Sequence, residues 1–224
     1  MKKVLFIAVH PDDETLGCGG TIIKHKQKGD EVYWLIITAV TSNHLLGSTE
    51  QRNSQGPEEI KCVAAKYGFE RTIELGFPEK LLDTIDFTEL VSKIDKVINE
   101  IQPKIIYIVN RSDVHSHHRI AFEAVFSCTK NFRKPFIERI LMYETLSETE
   151  FAPAFSENAF IPNVFIDVSD YMGHKLDIMS VYQSEVMPDY MPRSFSAIKA
   201  LAAFRGCRIG VQHAEAFMLL FEKC

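Results

Sequence analysis

Short, unbroken apolar runs recur along the chain with longer amphipathic stretches between them. Residues 3–9 and 32–38 are rich in β-branched and aromatic side chains and show no polar alternation. A strand with one wet face would alternate, so a continuous run marks a strand covered on both sides. Residues 105–109, 140–143 and 164–168 read the same way, and 72–75 more weakly. Helical periodicity occupies about 20–27, 57–67, 87–101, 118–130 and 171–183. The first of these stops at Gly29 behind Lys24, Lys26 and Lys28, as a glycine cap with cations at the negative end of the helix dipole would require. Strands alternating with helices imply an α/β fold: a Rossmann-like three-layer sandwich, with a mainly parallel sheet and helices on both faces. Residues 41–56, 147–162 and 184–194 lack periodicity, and loops of that length often overhang binding sites.

Composition narrows the function. The chain has 224 residues, long enough to bury a core without disulfide or metal, and a single domain over 1–224 is expected. Its 30 acidic side chains outnumber 25 basic ones, which argues against nucleic-acid binding through phosphate contacts. No apolar run approaches the ~20 residues of a membrane span. The stretch after Met1-Lys2-Lys3 ends at His10-Pro11-Asp12-Asp13, too early for a signal-peptide core, so a cytoplasmic location is expected. Cys18, Cys62, Cys128, Cys207 and Cys224 are scattered and form no C-x-x-C pair, which disfavours both a disulfide framework and a thiolate zinc site.

Chemistry gathers just past two of the strands. His10-Pro11-Asp12-Asp13-Glu14 follows the first, where a dinucleotide fold would place its glycine turn. Gly17, Gly19 and Gly20 come later, but Ile22 stands at the third fingerprint position and three carboxylates would repel a pyrophosphate. A cation suits the turn better, and mixed nitrogen and oxygen ligands fit zinc. Asp113-Val114-His115-Ser116-His117-His118-Arg119 follows the strand at 105–109. His115 and His118 lie about one helical turn apart and can point the same way. Either cluster alone reads as an ordinary helix start. Together, at equivalent strand ends, they favour one shared metal site.

Val9-His10-Pro11-Asp12-Asp13-Glu14 with Gly17-Cys18-Gly19-Gly20 resembles the opening motif of the PIG-L (LmbE-like) zinc-dependent N-deacetylases, and residues 113–119 resemble their second, histidine-x-x-histidine motif. Weaker similarity runs through 175–184, Arg205-Gly206 and Ala214-Glu215-Ala216-Phe217. The resemblance implies one zinc ion per chain on His10, Asp13 and His118, with iron(II) or cobalt(II) able to fill the same ligands. It makes Asp12 the general base for a metal-bound water and His115 the acid or oxyanion partner. The implied reaction removes acetate from an N-acetylated amino sugar or sugar conjugate of the N-acetylglucosamine type. Adjacent side chains diverge, so Asp12 is free to take a proton while Asp13 binds metal; either Asp12 or His115 could protonate the departing amine.

Several positions depart from the family pattern. His117 stands where an aspartate often orients the acid histidine, leaving Asp113 as the alternative partner of His115. Asp113 occupies a position some members give to tyrosine. Gly56 stands three residues before Glu59 where an arginine is common, with Arg52 as a substitute. Arg52, Asp113 and Glu144 are the candidate substrate contacts, followed by the loop residues Asn43, Asn53, Glu148, Thr149 and Arg193. Glu14 is expected to support or cap the metal loop. His213 and Glu215 read equally as family-like residues or a packed helix start, and Tyr143 as a substrate contact or core. A small-molecule amino sugar is the expected partner, and homo-oligomers remain open. The alternatives are a metal-dependent amidase for a larger sugar or thiol conjugate, and a non-catalytic sugar-binding protein of the same fold.

Overall fold

The computed structural model describes residues 1–39, 50–78 and 81–224, and for 50–55 the backbone alone. Seven strands form one sheet in the order β3-β2-β1-β4-β5-β7-β6. They are β1 (Lys3–Ala8), β2 (Glu31–Ala39), β3 (Arg71–Pro78), β4 (Ile105–Val109), β5 (Arg139–Tyr143), β6 (Val164–Asp167) and β7 (Ala214–Glu222). The helices are α1 (Asp13–Gln27), α2 (Glu50–Tyr67), α3 (Phe87–Ile101), α4 (Ser116–Ser127), α5 (Met172–Met179) and α6 (Phe195–Cys207). β3, β2, β1, β4 and β5 pair in parallel, while β7 runs antiparallel to both β5 and β6. The mainly parallel α/β sheet expected from the unbroken apolar runs is present. β1 and β4 lie at its centre, and Val4–Ala8 and Ile105–Val109 are buried.

This strand order places the chemistry. The chain moves outward from β1 to β2 and β3, then returns to lay β4 against the other side of β1. The loops leaving β1 and β4 therefore diverge to opposite sides and open a crevice at the carboxyl ends of the strands, where ligands of such sheets bind. Both histidine-containing motifs sit on these two loops.

Differences from the sequence reading have local causes. α1 begins at Asp13, well before residue 20. Its first eleven residues are all buried, so no amphipathic stripe reveals it. Gly17 and Gly20 let it lie close to the sheet: a Cβ on Gly17 would run into the Tyr143 ring and the Glu144 carbonyl, and one on Gly20 would come within 2.6 Å of Val168. Gly29, at φ 76°, ends the helix in the expected left-handed cap. α6 and β7 were not anticipated. His213 and Glu215 therefore mark the entry to a strand, not to a helix. Tyr143 is core, its hydroxyl donating to the Ile7 carbonyl at 2.8 Å. No helix among the described residues is long and apolar enough to cross a membrane.

Gly17→Ala should lower stability by about 1–3 kcal/mol through overpacking, even though alanine favours helix by about 1 kcal/mol. A urea midpoint equal to or above that of the natural chain would show that α1 has room to withdraw.

Candidate active site

The β1 loop holds its shape through its own carboxylates. Asp12 adopts φ 129°, which a non-glycine residue takes only under constraint. Its N–H donates to Glu14 Oε2 at 3.2 Å, and its carbonyl accepts the N–H of Leu16 at 2.8 Å, opening α1. Asp13 Oδ2 accepts the N–H groups of both Val9 and His10, each at 2.9 Å. That fixes the carboxylate so that Oδ1 turns towards His118 Nε2, 3.4 Å away. Burial works against a charge here. Nearby His118 and the His10 N–H outweigh it and hold the Asp13 carboxyl well below the usual range.

The β4 loop supplies the opposite half. His118 is fully buried, and its Nδ1 lies 2.8 Å from Asp113 Oδ2. Asp113 Oδ1 in turn accepts from Asn110 Nδ2 and Thr149 Oγ1, both at 2.7 Å. A carboxylate that fixes a histidine through its far nitrogen is the usual support of a metal ligand. His118 Nε2 is left without a hydrogen-bond partner among the described residues. A buried polar atom in that condition needs an explanation. Burial opposes a proton on His118, but Asp13 and Asp113 push its pKa up to about 10, so the surrounding field calls for positive charge. Burial holds His10 near 3, which keeps its imidazole neutral and able to ligate. One ligating atom from each of His10, Asp13 and His118 lies within 4.8 Å of the others. Two imidazole nitrogens and one carboxylate oxygen, with one nitrogen unsatisfied, fit a divalent metal ion.

Asp12 and His115 flank this triad. Burial and the charge of Asp13 raise the Asp12 carboxyl well above the usual range, with Glu185 adding to the rise and Arg193 opposing it. Arg193 Nη1 lies 3.7 Å from Asp12 Oδ2, and its Nη2 lies 3.1 Å from Glu185 Oε2. His115 is the N-cap of α4, its Nδ1 accepting the His117 N–H at 3.2 Å. With that nitrogen accepting, the proton of the neutral ring sits on Nε2. Burial, with His118 and His117 close by, lowers the His115 pKa to about 4. Beneath Asp12, the buried Glu14 accepts from Thr15 Oγ1 at 2.6 Å and Tyr182 Oη at 2.9 Å, and burial lifts its pKa to about 7.

Other candidates have different places. Asp113 is 1% exposed, and its oxygens are engaged by His118, Asn110 and Thr149, which places it behind His118 and not at His115. Glu144 receives Arg205 through Nε at 2.8 Å and Nη2 at 2.6 Å, which likewise occupies both oxygens. Thr149 is spent on Asp113, whereas Glu148 stands near enough to His118 and Asp13 to feel their charges. The Arg52 and Asn53 side chains, and Asn43, lie outside the described residues. Glu215 accepts the N–H groups of Gly20 and Thr21 at 2.8 Å and pairs with Lys175 Nζ at 2.7 Å. Asn110, which donates to Asp113, and Tyr182, which donates to Glu14, join the site without a motif to mark them. Asn110 directly follows β4, and Tyr182 falls in the weakly family-like 175–184 stretch.

A mainly parallel sheet with a His–Asp–His cluster at its central switch point, beside a spare aspartate, defines a candidate metallohydrolase. The chain belongs to the PIG-L family, described as GlcNAc-PI de-N-acetylase, whose profile matches residues 5–129. It is similar to the diacetylchitobiose deacetylase of Thermococcus kodakarensis, 28% identical over 96% of this chain and 82% of that one. It is also similar to a probable N-acetyl-alpha-D-glucosaminyl L-malate deacetylase 2 of Bacillus cereus, 26% identical over 82% of this chain and 84% of that one. Among solved structures, a conserved protein of Thermus thermophilus shares the fold with a TM-score of 0.79 at 24% identity, over 100% of this chain and 97% of that one.

Asp113→Asn should weaken divalent-metal binding by about 10–100-fold, as expected when the support of a metal-bound histidine is lost. Equilibrium dialysis against buffered zinc measures it, and unchanged affinity would remove Asp113 from this role.

Proposed function

We propose that this protein is a metal-dependent deacetylase that hydrolyses the acetamide of an N-acetylated amino sugar or sugar conjugate. The observation that carries the reading is the buried, unsatisfied Nε2 of His118 aimed at Asp13 Oδ1, with Asp12 alongside and outside the ligand set. The deacetylase names of its relatives support the same chemistry and suggest the sugar substrate.

His10, Asp13 and His118 would hold the ion, zinc by the character of the donor set, and it would supply Lewis-acid polarisation of the carbonyl and a water of lowered pKa. Asp12 takes the proton as water adds to the acetamide carbon. Its raised pKa suits it to give that proton back to the amine nitrogen as the C–N bond breaks, releasing acetate. His115 donates from Nε2–H to the oxygen that gains negative charge. With its Nδ1 engaged as an acceptor and its pKa lowered, His115 acts here as a neutral donor, leaving acid and base duties to Asp12. Arg193, 3.7 Å from Asp12 Oδ2, opposes the rise in the Asp12 pKa.

A panel of N-acetylated sugars and nucleotide sugars, read out as new primary amine, tests the proposal. Turnover should vanish on chelation. Asp12→Asn should lose roughly 10²–10⁴ in kcat while keeping its metal. Full turnover by chelated protein would overturn the mechanism. Release of a larger acid in preference to acetate would redirect it to an amidase.

A further inference from the structure

The three histidines of the β4 loop do not all serve the site described above. His118 turns inward to Asp13 and His115 caps α4. His117 turns its ring back to His10. His117 Nδ1 lies 3.4 Å from His10 Nε2. Ring centroids are 4.7 Å apart for His10 and His115, 4.6 Å for His115 and His117, and 5.7 Å for His10 and His117. One ligating atom from each of the three lies within 4.8 Å of the others.

We propose that His10, His115 and His117 form a second divalent-metal position beside the first, and that filling it withdraws His115 from the substrate. Three imidazoles make a donor set suited to zinc, nickel, cobalt or copper. His10 and His115 are partly exposed and His117 is buried. The two nitrogens of His10 face different ways: Nδ1 lies 3.9 Å from Asp13 Oδ2, and Nε2 faces His117. One ring can therefore serve both ions, as an imidazolate that releases its N–H proton to solvent. His115 must also give up a contact. Ligation through its Nε2 moves the ring proton to Nδ1 and ends the cap on the His117 N–H. These costs make the second position weaker than the first and set the order of filling.

The inference rests on the metal reading of the first site, and counting ions separates the two. The natural chain and His117→Ala are dialysed against zinc buffers of rising free concentration, and zinc per chain is measured. The natural chain should rise from one zinc to two. His117→Ala should keep the first and need at least about tenfold more free zinc for a second, since even outer partners of a metal site are worth that much. Turnover of an acetamido sugar should fall as the second zinc loads. A natural chain that stops at one zinc, or a variant that takes the second as readily, overturns the second position. Two zincs with undiminished turnover overturn the withdrawal of His115. A chain that binds no zinc overturns the first site as well.

Discussion

Asp13 and His118 face each other across 3.4 Å in a part of the protein where neither is exposed, and this arrangement organises the crevice. A carboxylate is costly to bury unless hydrogen bonds replace its water, and the N–H groups of Val9 and His10 do so for one oxygen. The same logic places Asp113 behind His118, with Asn110 and Thr149 satisfying its second oxygen. Asp12, Glu14 and Glu148 add further acidic groups nearby, whereas Arg193 is the guanidinium at Asp12. The excess of carboxylates is compensated by a cation more readily than by protons, since protonating Asp13 would forfeit its charge-assisted bonds to two backbone N–H groups. The electrostatics and the donor geometry thus point to the same occupant.

Asp12, the proposed general base, is held in place from several directions. A positive φ at a non-glycine residue costs on the order of 1–3 kcal/mol and persists only where the surroundings enforce it. Glu14 does this at Asp12 by accepting its N–H, and Glu14 is itself fixed by Thr15 and Tyr182. Tyr67, at the end of α2, donates to Thr15 Oγ1 at 3.0 Å and extends the network. The strained turn aims Asp12 and Asp13 in different directions, so that one side chain joins the cluster with His10 and His118 while its neighbour stays outside it.

Much of this was legible in the sequence because it rests on local spacing. The unbroken runs at β1 and β4 revealed a parallel core, and two ionisable motifs immediately after them fell at its switch point. What escaped depends on contacts distant along the chain. Asp113 lies two residues from His115 and five from His118, and spacing alone could not choose between them; the fold chooses His118. Thr149 approaches Asp113 from 36 residues away, so its polarity in a loop read as a sugar contact. β7 is a strongly apolar segment, but His213 and Glu215 at its start read equally as a packed helix start. In the fold that carboxylate meets α1 and Lys175, which no local pattern announces.

That last contact bears on why the site needs more than the segment carrying its motifs. The family profile covers 5–129, yet the groups that clamp α1 come from later in the chain. Lys175 Nζ donates to the Leu16 carbonyl at 2.8 Å, and Glu215 accepts the N–H groups of Gly20 and Thr21. Breaking one partner of a buried ion pair typically costs about 3–5 kcal/mol, because the other is left uncompensated. α1 also has no side chain at Gly17 or Gly20 to key it against the sheet, so its position along the sheet depends strongly on these polar ties. Since Asp12 is the N-cap of α1 and Asp13 opens its first turn, a shift of α1 would move both carboxylates relative to His118, which α4 and Asp113 hold independently. The carboxyl-terminal third therefore sets the distance between the two halves of the crevice, although it supplies none of the candidate ligand triad.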